Sequence, residues 1–160
     1  MTTEQRRDAV RGFASAEEHA RVLLGSCRRL LGRPLLEDAV GDDAAERLYR
    51  SDIAVLSHGT EQDPIFHYGN AAALRLWETD WESFTAMPSR LSAEPDVRDV
   101  REAFLRRVAE QGYADDYSGV RISRTGRRFR IEQAVVWNLI DEEGRLRGQA
   151  AAIPRYTRLD

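Results

Sequence analysis

Residues 116–157 decide the fold, and they read "DYSGVRISRTGRRFRIEQAVVWNLIDEEGRLRGQAAAIPRYT". Apolar and polar residues alternate in "VRIS" and again in "RFRI", as they do in strands that bury one face. The turn dipeptide Thr125-Gly126 separates these two segments, and the polar stretch 141–144 follows "AVVWNLI". "GQAAAIPRY" supplies the last strand, in which Pro154 suits a strand end or an edge. The pattern predicts an antiparallel meander of three strands.

The region before the meander has helical periodicity. The segment 92–96 opens the longest predicted helix, and Gly112 ends it. Two shorter helices precede it: "AAALRLW", capped by Asn70, and "TDWESFTAM", capped by Thr79 or Asp80. In the longest helix, helical spacing places one apolar set on a single face. This set consists of Val97, Val100, Phe104, Leu105 and Val108.

The N-terminal third contains two helices and two short strands. The segment 15–18 has the form of a capping box, and apolar residues recur at helical spacing over residues 20–31. Gly32 ends this helix, and a second short helix is predicted over residues 42–49. The segments "IAVLSHG" and "PIFHYGN" are short, β-rich and closed by turn residues, so we predict a strand in each. Cys27 lies on the apolar stripe of the first helix, which indicates a buried thiol.

The order of these elements predicts an α+β domain. An antiparallel β-sheet of about five strands carries helices on one face, and the N-terminal helices form an extension. The chain has 160 residues, of which 42% are hydrophobic, enough for one domain with a core but too few for two. We predict a flexible N-terminus over residues 1–14, a helical extension over 15–50 and the core of the domain over 51–158.

Composition argues against several classes of function. No stretch approaches the ~18 apolar residues of a membrane span, and the polar N-terminus lacks the apolar run of a signal peptide. We therefore expect a cytoplasmic protein without membrane contact. The formal net charge is -3 and all 24 basic residues are arginines, so the overall charge does not indicate nucleic-acid binding. One cysteine and three scattered histidines do not form a metal site, and we predict none.

Four separated segments resemble one known family in sequence and in order. They are "DPIFHYGNAAALRLWE", "MPSRLSAEP", "GYADDYSGVRIS" and "VWNLIDEEG", and together they resemble the MEKHLA domain. This PAS-like family occurs as stand-alone bacterial proteins and at the C-terminus of plant homeodomain-zipper transcription factors. The resemblance covers roughly residues 15–155 and favours the stand-alone bacterial type. It implies a PAS-like fold and a sensory or interaction module, without an established reaction and without the DNA-binding activity of the plant homeodomain.

The resemblance to PAS-like folds implies a place for a ligand, between the central sheet and the long helix. Haem iron most often requires a histidine on that helix, but residues 94–114 contain none. A flavin photoreceptor requires a cysteine in the preceding helix, where this chain has "MPSRLS". Asn138 and Gln149 could still hydrogen-bond a heteroaromatic ring. We therefore predict no cofactor, with a flavin-like site as the minor alternative.

A pocket with apolar walls and a few polar groups is predicted in that place. Core packing is the competing interpretation for its aromatic residues. Arg90 is expected to be a buried charge that either pairs with an acid or meets an anionic ligand. The arginines of "RISRTGRRFR" form the solvated face of a half-buried sheet or, alternatively, a patch for an anion or a partner protein. The predicted ligand-binding residues are Phe66, Asn70, Trp77, Met87, Arg90, Phe104, Tyr117, Arg121, Trp137, Asn138 and Gln149.

We expect a small sensor or binding module without a built-in effector, which captures a small organic ligand or a protein partner. The apolar stripe of the first helix also makes a homodimer possible through that helix. The alternative is an enzyme of small-molecule metabolism that uses the same cavity with His58 or His67 as a base. No spacing joins a nucleophile, a base and an acid, so we predict no catalytic residues. Both histidines are interpreted as satisfied surface or edge residues.

Overall fold

The computed structural model describes residues 9–36, 43–93 and 95–159, and its centre is a six-stranded antiparallel sheet. The strand order is β2-β1-β5-β4-β3, and the short strand β6 also pairs with β4. The helices are α1 (Ala16–Leu31), α2 (Ala44–Arg50), α3 (Ala71–Leu76), α4 (Trp81–Phe84) and α5 (Pro95–Gln111), with a 3-10 helix at Ser89–Ser92. The strands are β1 (Ala54–His58), β2 (Phe66–Gly69), β3 (Tyr113–Ile122), β4 (Arg128–Ile140), β5 (Leu146–Ile153) and β6 (Arg155–Arg158).

Local capping explains where the first helices begin and end. Ser15 accepts a hydrogen bond from the Glu18 N–H at 3.1 Å, which satisfies one of the free donors at the start of α1. Gly32 ends α1 in the left-handed conformation, with φ of 74°, and donates back to a carbonyl in the last turn. Asn70 and Asp80 cap α3 and α4. The caps predicted from the sequence are present, with Asp80 rather than Thr79 capping α4.

A bulge in β4 determines which of its side chains share a face. In an uninterrupted strand, residues 131 and 136 would point to opposite sides of the sheet. Gln133 has a φ of 52°. Tyr117 pairs with Ala134 and Gly119 pairs with Ile131, so two residues along β3 correspond to three along β4. Ile131 and Val136 consequently line the same cavity, whereas Trp137 contacts α1 on the other side.

Helix α1 covers the face of the sheet opposite the cavity. The indole N–H of Trp137 donates to the Leu23 carbonyl at 3.1 Å, and Ser26 Oγ accepts from the Ile140 N–H at 2.8 Å. Leu23 and Cys27, on the apolar stripe of α1, are buried. The stripe that suggested a homodimer is therefore covered by the chain's own sheet, and the homodimer itself stays a prediction.

The cavity face carries helices α3, α4 and α5. Phe84 of α4 stacks on Phe66 with ring centroids 4.4 Å apart, and Trp77, which follows α3, meets the ring of Phe129 edge-on at 5.1 Å. Helices on one face of an antiparallel sheet and a helical N-terminal extension are what the sequence predicted, so the fold class is confirmed. The extension is placed as a cover for the opposite face.

Helix α5 is attached to the sheet by a small apolar cluster of its own. Phe104 and Val108 pack with Val136 of β4, apart from the larger core that fills the rest of the domain. Val100, predicted on the same buried face, is 70% exposed, so that part of the prediction is wrong. Among the side chains described for α5, only Phe104 and Val108 are buried, which leaves Val100 beyond the contact with the sheet.

Gly112 joins α5 to β3 at a crowded point. Its φ of 99° lies in the region that favours glycine, and its N–H donates to the Val108 carbonyl at 2.7 Å. Its own carbonyl accepts from the Asn138 N–H at 2.9 Å. A Cβ at this position would stand 3.1 Å from Leu30 Cδ2 of helix α1. The end of α5, the sheet and α1 therefore meet at Gly112.

The first described residues are packed against the domain. Val10 is 2% exposed, and the ring of Phe13 lies edge-on to the ring of His67 with centroids 5.4 Å apart. The rest of the predicted flexible N-terminus, residues 1–8, lies outside the described residues, as does Asp42 at the predicted start of α2. The domain limits predicted at residues 14 and 50 stay predictions.

Strand β6 was not predicted separately from β5. Pro154 lies between β5 and β6, and residues 155–158 pair with residues 129–132 of β4, whereas β5 pairs with residues 135–140. All four residues of β6 are exposed. A four-residue exposed segment has no apolar alternation by which the sequence could show it.

The contribution of α1 to the core can be measured with Leu23→Ala. Leu23 has no exposed surface, so we expect the free energy of unfolding to fall by about 3 kcal/mol, as for other fully buried leucines. Denaturant titration followed by circular dichroism measures this change. Arg21→Ala, exposed on the same helix, is the control and should change it by less than about 0.5 kcal/mol. Equal effects in the two variants would contradict the packing of α1 on the sheet.

Candidate ligand-binding site

A small cavity lies between the sheet and helix α5, where the sequence predicted a pocket. Its volume is about 50 Å³, and its walls are largely apolar. Four of the predicted ligand-binding residues line it: Phe66, Trp77, Arg121 and Gln149. Further lining residues that the prediction missed include Leu56, His58, Ser92, Leu105, Ile131, Val136, Ala151 and Ile153. Drug-sized ligands occupy roughly 300–1,000 Å³, so a ligand of that size requires the cavity to open.

Two amide side chains connect the sheet to the backbone of α5. Gln149 Nε2 donates to the Leu105 carbonyl at 3.1 Å and to Asn138 Oδ1 at 3.2 Å. Asn138 Nδ2 in turn donates to the Ala109 carbonyl at 3.2 Å. The two amides that could have held a heteroaromatic ring are thus engaged with each other and with the helix.

Arg121 brings a charge to the cavity wall. Its side chain is 7% exposed, and it donates to the Val120 carbonyl at 3.0 Å and to the Tyr117 hydroxyl. The guanidinium carbon lies 5.1 Å from the centre of the Tyr117 ring, which itself packs on Phe104 at 4.2 Å. Tyr117 and Phe104 therefore support Arg121 from outside the cavity.

Trp77 lines the cavity and carries a buried indole N–H. Trp77 is 2% exposed, and its Nε1 has no hydrogen-bond partner among the described residues. A buried donor without an acceptor is uncommon in native proteins. Trp77 was predicted as a ligand-binding residue for its aromatic area; the unused donor is a feature that only the structure reveals.

His58 lines the cavity from β1, and its ring Nδ1 lies 2.9 Å from the Gly59 carbonyl. It is 8% exposed, and β1 pairs with a strand on each side. His67 is 4% exposed and does not line the cavity. Both histidines were interpreted as surface or edge residues, but neither is at the surface. For His58 the edge part is wrong as well, because β1 is an interior strand.

His67 belongs to a buried ring cluster with Phe13, His19 and Tyr68. The rings of His19 and His67 are 5.5 Å apart, and Nε2 of His67 has no hydrogen-bond partner among the described residues. Burial lowers the pKa of His67 to about 3, helped by the nearby charges of His58, Arg11 and Arg147. Burial, and next the neighbouring His67, also hold the pKa of His19 well below its usual range.

Asn70 is a structural residue in this arrangement. Its Oδ1 accepts from the N–H groups of Ala73 and Val55, and its Nδ2 donates to the carbonyls of Leu48 and Ile53. All four distances lie between 2.9 and 3.0 Å, and Asn70 is fully buried. The side chain that the sequence predicted as a helix cap and a ligand-binding group therefore ties α3 to β1 and α2, and it does not line the cavity.

The other predicted residues lie outside the cavity. Trp137 contacts α1 on the opposite face of the sheet, and Met87 packs against the main core. Arg90 pairs with Asp63, Nε to Oδ1 at 3.1 Å, and their side chains are 44% and 54% exposed. Arg90 was expected to be buried, which is wrong, whereas the pairing with an acid is present. Such exposed ion pairs contribute only about 0–1 kcal/mol.

The arginines after Arg121 follow the predicted alternation. Phe129 and Ile131 are buried, and Arg128 and Arg130 between and beside them are exposed. The solvated-face interpretation of "RISRTGRRFR" holds for these two positions, but not for Arg121. Arg121 sits on β3 at the cavity wall, because its side chain points to the face on which α5 packs.

The described parts of the chain were also searched for groups of metal-binding side chains and for helices that could cross a membrane. In residues 9–36, 43–93 and 95–159, no three histidine, cysteine or acidic side chains come together in a way that could hold a metal ion. None of the helices in the same ranges is both long and apolar enough to cross a membrane.

The sequence is similar to a known domain family and to parts of plant proteins. The sequence model of the MEKHLA domain matches residues 17–158. Homeobox-leucine zipper protein HOX9 of Oryza sativa subsp. indica is 29% identical over 138 residues, which are 84% of this chain and 16% of the rice protein. The chain therefore spans about a sixth of the length of this relative.

The structure is similar to solved PAS and photoreceptor domains. The PAS domain of a protein from Colwellia psychrerythraea has a TM-score of 0.58 and 14% identity, over 73% of this chain and 94% of that chain. The light-state dimer of the fungal blue-light photoreceptor Vivid has a TM-score of 0.57 and 14% identity, over 83% and 93%. At such low identity the likeness concerns the fold alone, and it confirms the predicted PAS-like architecture.

Comparing two helix caps tests the structural role of Asn70. Asn70→Ala leaves the Val55 and Ala73 N–H groups and two buried carbonyls without their partner, so we expect a loss of about 3 kcal/mol or more in unfolding free energy. Asp80→Ala removes an exposed cap from α4 and should cost about 1 kcal/mol. Denaturant titration of both variants provides the measurement, and equal losses would contradict the role of Asn70 as a buried connection.

The buried histidines predict a loss of stability in acid. His67 stays neutral in the folded protein, but it protonates near pH 6.5 in the unfolded chain, so its stabilising effect is complete above that pH and falls as pH decreases. Between pH 7.5 and pH 5 we expect His67 alone to account for about 2 kcal/mol of lost unfolding free energy. His67→Phe should lose correspondingly less over this interval. The same pH dependence in wild type and variant would show that His67 does not remain neutral.

Proposed function

This chain belongs to the MEKHLA domain family, and on that premise we propose that it is a PAS-like sensory module without a built-in effector. Its ligand is a small organic molecule held in the cavity between the sheet and helix α5. A protein partner responds to the state of that helix. The stand-alone bacterial setting, the cytoplasmic location and the homodimer remain predictions, and the relative compared above is a plant protein.

The observation that carries this proposal is the way α5 is attached beside the cavity. The helix is held by the small cluster of Phe104, Val108 and Val136 and by the amides of Asn138 and Gln149. Leu105 and Gln149, which are joined by one of these hydrogen bonds, both line the cavity. A molecule that enlarges the cavity therefore presses on the bonds that hold α5.

The energy required for such a movement is modest. Each amide-to-carbonyl hydrogen bond contributes about 0.5–1.5 kcal/mol net, and the apolar cluster under α5 is small. Displacing the helix costs a few kcal/mol on this basis, which a ligand of micromolar affinity offsets. Binding can then shift the population from a closed to an open arrangement of α5 while the main core stays intact.

The enzyme alternative keeps one supporting observation. His58 lines the cavity, with its Nδ1 at hydrogen-bond distance from the Gly59 carbonyl, so a donating Nδ1–H leaves Nε2 as the basic atom. His67 lies outside the cavity and would not act there. This alternative predicts that a bound molecule is chemically converted and that His58→Gln stops the conversion.

Native mass spectrometry of protein purified from its own host identifies a bound molecule, which is then titrated against variants. Ala151→Val adds bulk to the cavity wall, so we expect at least about a tenfold loss of affinity, measured below the unfolding temperature because such overpacking also costs about 1–3 kcal/mol of stability. Ala86→Val, exposed and outside the cavity lining, is the matched control and should bind normally. Unchanged affinity in Ala151→Val would place the ligand elsewhere and contradict the proposal.

A further inference from the structure

Arg121, which lines the cavity, is a buried positive charge without a negative partner among the described side chains. Among the side chains that the structure describes, in residues 9–36, 43–93, 99, 100 and 102–159, no carboxylate lies within ion-pair distance of Arg121. Its two acceptors are the Val120 carbonyl and the Tyr117 hydroxyl, neither of which carries a charge.

This arrangement is costly unless a further partner is present. Burial of an unpaired charge costs several kcal/mol, and the Tyr117 ring at 5.1 Å offsets only part of that. A guanidinium has five N–H donors, and two of the hydrogen bonds of Arg121 are accounted for. The other three donors have no hydrogen-bond partner among the described residues.

A second unused donor belongs to another residue of the cavity wall. Trp77 also lines it, and its indole N–H has no acceptor in the described parts of the chain. The remaining walls are largely apolar, with Leu56, Ile131 and Ile153 among them. The cavity thus has unused donors, a positive charge and hydrocarbon surface. A complementary molecule has negatively charged acceptor atoms and a short apolar part.

We propose that the cavity binds a short-chain monocarboxylate, whose carboxylate pairs with Arg121 and whose alkyl chain contacts Leu56 and Ile131. A guanidinium and a carboxylate match as a two-point, charge-assisted pair. The volume of about 50 Å³ suits a molecule of a few heavy atoms, such as acetate or propionate, without displacing α5. Longer chains require the movement of α5 described above. This inference rests on the proposed function, because it names the ligand class of the same site.

The test titrates acetate, propionate and butyrate into the full chain, with propionamide as the neutral analogue of propionate. The unfolding temperature and the indole N–H signal of Trp77 in NMR spectra are the two measurements. We expect propionate to raise the unfolding temperature and to move the Trp77 signal, and propionamide at the same concentration to do neither. Sodium chloride at equal concentration controls for a general anion effect, and an equal response to chloride would overturn the carboxylate assignment.

Variants of Arg121 test whether its guanidinium binds the carboxylate of propionate. Arg121→Met should lower propionate affinity by about tenfold or more, because the charge-assisted pair is lost. Arg121→Lys keeps the charge without the planar fork. Its affinity for propionate should lie between those of the wild type and Arg121→Met. Arg130→Met, exposed on the neighbouring strand, is the matched control and should bind as wild type does. Where Arg121→Met does not fold, Arg121→Lys carries the comparison. Unchanged affinity in the folded variant or variants would overturn the inference.

The outcomes separate this inference from the function on which it rests. Propionamide binding as well as propionate would show a cavity ligand without a role for the charge, so the inference would fail and the proposed function would stand. The same holds if the host supplies a bound molecule without a carboxylate. Absence of both a host ligand and any response to the carboxylates would overturn the inference and the proposed function together.

Discussion

The bulge at Gln133 is the constraint on which the arrangement of the domain depends. Strand β4 pairs with β3, β5 and β6, and it supplies side chains to both faces of the sheet. Because the bulge adds one residue, Ile131 and Val136 face the cavity while Trp137 reaches helix α1. Without it, one half of the strand would present its apolar residues to the wrong side. The cavity and the docking surface of α1 therefore follow from one backbone irregularity.

The two faces of the sheet are secured very differently. On one face, α1 shares the main apolar core, and the Trp137 indole and the Ser26 hydroxyl satisfy backbone and side-chain groups between helix and sheet. On the other face, α5 depends on a small cluster and on two amide side chains. The proposed sensory function would use this difference, since one part must move at low cost while the rest keeps its shape. The charge of Arg121 lies on the weakly secured side.

The elements were predictable from the sequence because they depend on local signals. Alternation, turn residues and caps lie within a few positions of each other, and they located the β3–β5 meander, α1 and the cap at Asn70. The cavity lining was predicted only in part. The bulge at Gln133 leaves no local signal, so Trp137 was assigned to the cavity. Arg90 was expected inside because its helix-poor segment was predicted to face the pocket, but only the folded chain shows that Asp63 reaches it at the surface.

Gly112 lies where α5, the sheet and helix α1 of the opposite face meet. It ends α5, accepts from the β4 backbone at Asn138 and lies against Leu30 at the end of α1, so three layers touch at one residue without a side chain. Gly112 is the single residue between the end of α5 at Gln111 and the start of β3 at Tyr113, so a shift of α5 must also move Gly112. A side chain larger than hydrogen at this position would therefore disturb the end of α5 and the packing of α1 at once.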